Sequence, residues 1–182
     1  MEIMGSAATE VSVEEYLTTS YRPDMEFVDG VLLERNVGTQ RHGLLQSILA
    51  SYLRQYRKSH QIHVFTDTRL LVDAATRRYR IPDVLVLALP YRKGRVVTDV
   101  PIITIEVKSP EDTFDDIVGR CFDYEKMGVA NIVVMDPDNL RVWVFEHGNL
   151  RLLTGEAVSL TLHEGSEVEF QFGAMFSELD EE

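Results

Sequence analysis

The chain has 182 residues, of which 45% are apolar, enough for one globular domain with a substantial core but not for two. It contains no apolar run as long as a membrane span, and its N-terminus lacks the basic and apolar segments of a secretory signal. The only cysteine, Cys121, excludes an intramolecular disulfide and favours a cytoplasmic location. We therefore expect a single domain over residues 1–182, with an ordered core over about 12–175 and flexible ends at 1–10 and 177–182.

The net charge of −12 argues at first against a nucleic-acid partner, because a uniformly acidic surface repels phosphates. The charges are, however, unevenly distributed along the chain. Residues 35–100 carry twelve basic and four acidic residues, whereas the segments on either side are strongly acidic. A basic segment of this kind is typical of a protein that binds a phosphate backbone, although basic residues also serve solubility.

Patterns in the first third of the chain predict two helices and a hairpin. A capping box that starts at Ser12 begins a short helix that extends to about Leu17. Residues 25–28 and 31–34 flank an Asp-Gly pair and form a β-hairpin. Apolar residues at helical spacing then predict a long helix from Gln40 to about Lys58.

The remaining patterns predict a mixed sheet. Short strands are expected at 64–65 and 69–72, and the apolar runs at 81–87 and 102–107 are typical of central strands. A helix that carries Cys121 on its apolar face follows and ends near Gly128, and a buried strand follows that helix. This order of strand, helix and strand is a crossover, so the two strands should be parallel. The rest of the chain is expected to be peripheral β structure.

Two short segments on the central strands contain the candidate catalytic residues: Pro82-Asp83 and Glu106-Val107-Lys108. If the two strands pair antiparallel, Asp83 approaches Glu106 and Lys108, and those two side chains share one face of their strand. Carboxylates can hold a hard cation such as Mg²⁺, which polarises a phosphoryl oxygen and lowers the pKa of a bound water. Lys108 can position or deprotonate that water, or stabilise the phosphate in the transition state.

The same pattern has a plainer interpretation: a Pro-Asp turn that enters a strand, and a solvated Glu/Lys pair at an exposed strand end. The apolar character of both strands favours the site, because charged residues on central strands need a partner or a function.

In this order the residues resemble the PD-(D/E)xK nuclease superfamily and, within it, the Uma-two-like family of "putative restriction endonucleases". The matches are Glu26-Phe27-Val28-Asp29-Gly30, His42 at the start of a long helix, Pro82-Asp83-Val84-Leu85-Val86, Ile105-Glu106-Val107-Lys108-Ser109-Pro110, Tyr124 before Gly128-Val129, and Val133 to Pro137. No single motif is specific, but the ordered set covers roughly residues 12–150.

The resemblance implies an α/β fold with a restriction-endonuclease-like core, a mixed central sheet flanked by helices, and extra β-hairpins. It also implies Mg²⁺-dependent cleavage of DNA, with Mn²⁺ as a substitute ion. Asp83 and Glu106 would be the metal ligands, the backbone carbonyl of Val107 a further ligand, and Lys108 the catalytic lysine.

Two further residues match the family near its active site. Glu26 matches an acid that approaches the metal, although a surface carboxylate on a hairpin fits its position equally well. His42 matches a histidine at the active-site cleft, although a histidine near a helix start often acts as a cap or as a partly buried polar group. Many relatives carry a basic residue on the helix after the motif instead of Lys108. Here that helix carries Arg120. An arginine can bind phosphate but cannot act as a base near neutral pH, and we expect Arg120 to be an ordinary exposed arginine.

Three functions therefore remain open. The first is an active DNA endonuclease, which would need a homodimer or two sequential events to cut both strands. The second is an inactive nuclease-fold protein that binds nucleic acid or a protein partner, and the third is an RNA nuclease that uses the same carboxylates.

Overall fold

The computed structural model describes residues 11–36, 38–162 and 165–181. The helices are α1 (Val13–Thr18), α2 (Gln40–Arg54), which continues into a 3₁₀ turn (Gln55–Arg57), α3 (Phe114–Met127) and α4 (Phe172–Glu178). The strands are β1 (Met25–Val28), β2 (Val31–Glu34), β3 (Ile62–Thr66), β4 (Leu70–Asp73), β5 (Arg78–Arg80), β6 (Val84–Ala88), β7 (Ile103–Val107), β8 (Asn131–Asp136), β9 (Arg141–Glu146), β10 (Asn149–Leu152), β11 (Val158–Thr161) and β12 (Glu167–Phe170).

The central sheet has six strands in the order β10-β9-β8-β7-β6-β3. Strands β7 and β8 are parallel and are joined by the crossover helix α3, whereas the other neighbours in this sheet are antiparallel. A second sheet has the order β2-β1-β5-β4, and β11 pairs with β12 alone. The predicted mixed sheet, hairpin and crossover are thus confirmed.

The alternation of side chains along the central strands separates the core into two layers. Ile103, Ile105 and Val107 of β7 pack on the side that α2 and α4 cover. The opposite face, which includes Leu85 and Leu87 of β6, packs against α3 and β4. A β-strand presents successive residues to opposite faces, so Glu106 of β7 lies on the α3 side, between two buried residues of the other face.

Local signals explain where α3 begins and ends. The hydroxyl of Thr113 accepts a hydrogen bond from the backbone N–H of Asp116 (3.1 Å), which caps the first turn. Gly128 has a φ of +99° and ends the helix in a left-handed conformation that glycine adopts without strain. These two ends set the length of α3.

The run predicted as one central strand over 81–87 proves to be two structural parts. Strand β6 begins only at Val84, and the residues before it connect the central sheet to β5 of the second sheet. Asp83 therefore lies at the point where the chain passes from one sheet to the other.

The prediction of only peripheral β structure near the C-terminus is wrong, because residues 172–178 form α4. Phe172, Met175, Phe176 and Leu179 are buried, and their spacing is that of one helical face. The predicted flexible end at 177–182 overlaps the end of α4 and the buried Leu179, whereas residues 1–10 and 182 lie outside the described part of the chain.

Within the described ranges, no helix is both long and apolar enough to cross a membrane.

Packing of α4 against the core predicts a large loss of stability for Phe172→Ala, because its ring is only 4% exposed. We expect the free energy of unfolding to fall by about 3–5 kcal/mol. Phe122→Ala removes the same atoms from a ring that is 48% exposed and lies 5.0 Å from the ring of Phe145, so its cost should be about 0.5–1.5 kcal/mol. Urea unfolding followed by circular dichroism measures both, and equal losses would contradict a buried α4.

Candidate active site

The register of β6 and β7 brings Asp83 beside Glu106. Val84 is paired with Ile105 in the antiparallel ladder, so the residue before Val84 and the residue after Ile105 are neighbours. The Oδ2 atom of Asp83 accepts a hydrogen bond from the backbone N–H of Val107 (2.6 Å). Asp83 and Glu106 are each only 1% exposed.

Arg35, the residue that follows β2, bridges the two carboxylates. Its Nη2 donates to Oδ1 of Asp83, and its Nη1 lies 3.3 Å from Oε2 of Glu106. The same Nη1 lies 3.7 Å from Oε1 of Glu26. A single guanidinium group thus contacts three carboxylates, two from the central sheet and one from the hairpin.

Helix α3 holds the other side of Glu106. The Tyr124 hydroxyl donates to Oε1 of Glu106 (2.6 Å), and Nη1 of Arg120 donates to Oε2 (3.0 Å). Burial, together with the charge of Glu106, raises the pKa of Tyr124, which keeps its phenol a donor. These two residues are four apart and therefore lie on one helix face.

The expectation that Arg120 is an ordinary exposed arginine is wrong. Arg120 is buried, because α3 packs the face that carries it against β7. Its Nη2 also donates to Oδ1 of Asp112 (2.8 Å), so both ends of the guanidinium group are occupied. A buried arginine with two carboxylate partners is a structural member of the site rather than a solvated charge.

Glu26 is buried rather than at the surface, and it lies among cations. Its Oε1 accepts from the backbone N–H of Ile81 (3.0 Å), and its Oε2 accepts from Nη1 of Arg80 (2.7 Å). Arg80 in turn donates to Asp123 of α3 (2.7 Å). Glu26 therefore connects the hairpin to the chain segment that leads to Asp83.

His42 lies in the first turn of α2 and points to Asp83, with 3.5 Å between its Nε2 and Oδ1 of the carboxylate. Thr39 caps this turn by accepting the His42 N–H (3.2 Å). A Cβ at Gly38 would come within 2.6 Å of Nδ1 of His42, so only glycine allows this approach. Burial lowers the pKa of His42, but the contact with Asp83 outweighs it, and the net shift is upward.

Lys108 does not meet the carboxylates in this conformation. It follows the last residue of β7, is half-buried, and its Nζ donates to the carbonyl of Ser109 (3.1 Å). Within the part of the chain that the structure describes, Lys108 forms no ion pair within 4.0 Å, whereas Arg35 forms three.

The two central carboxylates respond differently to burial. Burial alone would raise the pKa of Asp83, but Arg35 and His42 outweigh it and hold that pKa below its usual range. Burial also raises the pKa of Glu106, and there Arg120 and Arg35 do not fully compensate. Asp83 is thus the more readily ionised of the pair, and a further cation would favour ionisation of Glu106.

A cleft of about 320 Å³ opens onto this cluster. Its lining includes Arg35, His42, Gln46, Asp67 and Asp83. The amide of Gln46 donates both to the carboxylate of Asp67 and to the backbone carbonyl of Asp83 (both 2.9 Å). Of the two central carboxylates, Asp83 lines the cleft, whereas Glu106 contacts Arg35, which lines it.

The buried charges nearly balance one another without any bound ion. The cluster consists of Glu26, Asp83, Glu106, Asp112 and Asp123, with Arg35, Arg78, Arg80 and Arg120. The five carboxylates and four guanidinium groups leave one formal negative charge, which a protonated His42, 3.5 Å from Asp83, would offset.

Asp83 and Glu106 have the oxygen donors that a hard divalent cation prefers. Arg35 already holds the position between them, so a cation bound by the same oxygens would replace that guanidinium group. Among the described residues, no group of three or more His, Cys, Asp or Glu side chains is arranged to hold a metal ion. The pair therefore fits a cation by charge and by ligand type once Arg35 moves away.

Sequence patterns missed Arg35, although the hairpin contained a signal for it. The Asp-Gly turn pairs Val28 with Val31, which places Leu33 opposite Glu26. Arg35 lies two residues beyond Leu33, and residues two apart on an extended chain share a face. The hairpin register thus indicated a cation on the same face as Glu26, and the pairing does continue to Arg35, whose backbone N–H donates to the carbonyl of Asp24 (2.9 Å).

One solved structure shares this architecture. A crystal structure described as "a putative nuclease belonging to DUF820" from Anabaena variabilis ATCC 29413 superposes with a TM-score of 0.78 at 19% sequence identity, covering 93% of this chain and 99% of that one. A cryo-electron-microscopy structure described as a "DrdV-DNA complex" matches with a TM-score of 0.39 and 11% identity, over 77% of this chain and 13% of that one. No curated protein matches the chain.

The family model that matches is Uma2, described as "Putative restriction endonuclease", and it aligns with residues 13–173. The match covers most of the chain, including both sheets, α3 and every residue of the buried charge cluster. The chain therefore belongs to the Uma2 family of putative restriction endonucleases.

Proposed function

We propose that this protein is a DNA endonuclease that depends on a divalent cation. One observation carries the proposal: Asp83 and Glu106, each 1% exposed, come from adjacent strand ends and share one cationic group beside a cleft. Two ionised carboxylates buried at such a short separation destabilise the folded protein unless a cation compensates their charges. One or two carboxylates also commonly bind Mg²⁺, which can assist phosphodiester hydrolysis.

In this proposal Asp83 and Glu106 hold Mg²⁺, for which Mn²⁺ can substitute, and the backbone carbonyl of Val107 is a further ligand. The bound cation would supply the positive charge that stabilises the phosphate in the transition state. Lys108 positions or deprotonates the attacking water, and for this its Nζ must leave the carbonyl of Ser109.

The remaining residues of the cluster orient the ligands. Tyr124 and Arg120 fix both oxygens of Glu106, so this carboxylate has one defined orientation. His42 lies against Asp83 at the cleft, where it can donate to that carboxylate or to a phosphate oxygen. Glu26, held by Arg80, keeps the hairpin that carries Arg35 next to the site.

The family supports DNA as the substrate class, and so do the exposed basic residues Arg54, Arg57 and Lys58, which favour a polyanion. One site cuts one strand at a time. Cleavage of both strands would therefore require a homodimer or two successive events.

A second candidate is an inactive nuclease-fold protein that binds nucleic acid or a protein partner. The position of Arg35 favours it, because this guanidinium group already satisfies Asp83 and Glu106 without a metal ion. The distance of Lys108 from both carboxylates favours it as well.

Plasmid cleavage tests the proposal. The protein should nick supercoiled DNA in Mg²⁺ or Mn²⁺, and Asp83→Asn and Lys108→Ala should each reduce the rate by about 10²–10⁴-fold, because a metal ligand or a proton-transfer group is lost. Gel electrophoresis of time courses measures the rate of conversion to nicked and linear forms.

The matched controls are Asp99→Asn and Lys93→Ala, which make the same changes in the loop between β6 and β7. Both should cleave like the unmodified protein. Cleavage that survives Asp83→Asn would point to another active site or a contaminant, and absence of cleavage in both metals would favour the inactive candidate.

Arg35→Met separates the two candidates by metal binding rather than by activity. Without metal, removal of the buried guanidinium group should lower the free energy of unfolding by about 3–5 kcal/mol, because two carboxylates lose their partner. Mn²⁺ should restore much of this loss and should bind the variant more tightly than the unmodified protein. Thermal unfolding and titration calorimetry measure the two effects.

Arg95→Met is the control, since Arg95 is exposed in the loop that joins β6 to β7, at the end of these strands opposite Asp83 and Glu106. Destabilisation of Arg35→Met that Mn²⁺ does not relieve would show that the carboxylates do not form a cation site.

A further inference from the structure

The segment from Arg35 to Thr66 contains no acidic residue, although the whole chain has 30. It contains five basic residues, namely Arg35, Arg41, Arg54, Arg57 and Lys58. This segment forms α2, the 3₁₀ turn and β3, so one continuous part of an acidic protein lacks negative charge. Such a concentration of basic groups is the electrostatic signature of a surface that attracts phosphates.

A groove runs between the exposed face of α2 and β3, which is the edge strand of the central sheet. It has a volume of about 540 Å³. The α2 side is formed by Gly43, Gln46, Ser47, Ala50, Ser51 and Arg54, and the β3 side by Val64 and Thr66. Small side chains line most of its length, so an extended chain can lie close to the helix backbone.

The groove is continuous with the candidate active site. Gly43 and Gln46 line both the groove and the cleft that contains Asp83. At its other end, Arg54 and Val64 also line a further hollow of about 290 Å³ that contains Arg57. From Gly43 to Arg54 the helix extends about 16 Å, which is the axial length of about five nucleotides of one DNA strand.

The basic groups at the far end are available to a ligand. Arg54, Arg57 and Lys58 are exposed, and none forms an ion pair within 4.0 Å with a carboxylate of the described residues. Arg57 donates instead to the imidazole of His63 on β3 (3.2 Å), which holds it over the groove end. By contrast, Arg41 at the other end of α2 is already paired with Asp180 (2.6 Å).

We propose that this groove binds the phosphodiester backbone of the DNA strand whose scissile phosphate lies at Asp83. Arg54, Arg57 and Lys58 contact the phosphates farthest from the cut, and the hydroxyls of Ser47 and Ser51 donate to phosphate oxygens between. These contacts read no base, so they position the strand without selecting a sequence. The inference rests on the proposed endonuclease function and adds the path of the substrate.

A charge-reversal variant tests the groove through binding. With a fluorescein-labelled DNA duplex in EDTA, Arg54→Glu/Arg57→Glu should raise Kd by about tenfold or more at low salt, because phosphate contacts are lost and repulsion replaces them. The slope of log Kd against log salt concentration should fall by about two, one for each lost phosphate contact. Fluorescence anisotropy measures both quantities.

The matched control is Arg77→Glu/Arg151→Glu, which changes the net charge by the same amount. Arg77 lies in the turn between β4 and β5, and Arg151 lies on β10, the edge of the central sheet opposite β3. The lower net charge alone, which both double variants share, should raise Kd by less than about twofold. Equal losses in the two double variants would overturn the proposal, as would failure of the unmodified protein to bind DNA.

Photo-crosslinking locates the DNA independently of charge. A photoreactive aryl azide attached to Ser51→Cys should crosslink to the duplex, whereas the same label on Thr76→Cys should not, because Thr76 lies in the exposed turn after β4. The native Cys121 is buried and does not compete for the label. Crosslinking that is no stronger at Ser51→Cys than at Thr76→Cys would overturn the proposal.

The binding and crosslinking results can be interpreted whatever the plasmid assay shows, because EDTA prevents metal-dependent cleavage. DNA binding in the groove without any nicking would retain the binding surface and reject the endonuclease. Nicking with equal binding by both charge-reversal variants would retain the endonuclease and reject this path.

Discussion

The contact of Arg35 with Asp83 and Glu106 is the interaction on which the rest of the site depends. Arg35 belongs to the hairpin of the second sheet, and its two partners belong to the central sheet. Glu26 and Arg80 extend the same charge network within the second sheet, and Arg120 extends it to α3. Because each charge is buried, removal of one member leaves another uncompensated, so the hairpin, the strand ends and the crossover helix hold one relative position.

The cluster also shows what a sequence can and cannot reveal about a buried site. The meeting of Asp83 and Glu106 could be predicted, because apolar strands and the antiparallel order of β6 and β7 fix their register. The arginine partners of these carboxylates could not be predicted in the same way, because nothing in the sequence distinguishes a buried arginine from an exposed one. Arg120 was therefore misjudged, and its burial depends on how α3 rotates against β7.

Two other differences have separate physical causes. The helix α4 follows peripheral strands, and its three buried residues gave a helical pattern too short to distinguish from a strand. The approach of Lys108 to the carboxylates was inferred from strand alternation. Its backbone N–H still donates to the carbonyl of Met135 on β8 (2.8 Å), but its Nζ turns to the carbonyl of Ser109, and alternation does not determine the rotamer of a long side chain. The net charge, finally, did not indicate the local charge. The protein has an overall charge of −12, yet α2 and β3 contain no acidic residue.

The sequence separation within the cluster has a kinetic consequence. Arg35 is 48 residues from Asp83 and 71 from Glu106, whereas the hairpin that carries it closes over a two-residue turn. Local turns and hairpins form in microseconds, but contacts between distant segments require most of the chain to be in place. The charge cluster should therefore assemble after the transition state for folding, and loss of Arg35 should accelerate unfolding far more than it slows refolding.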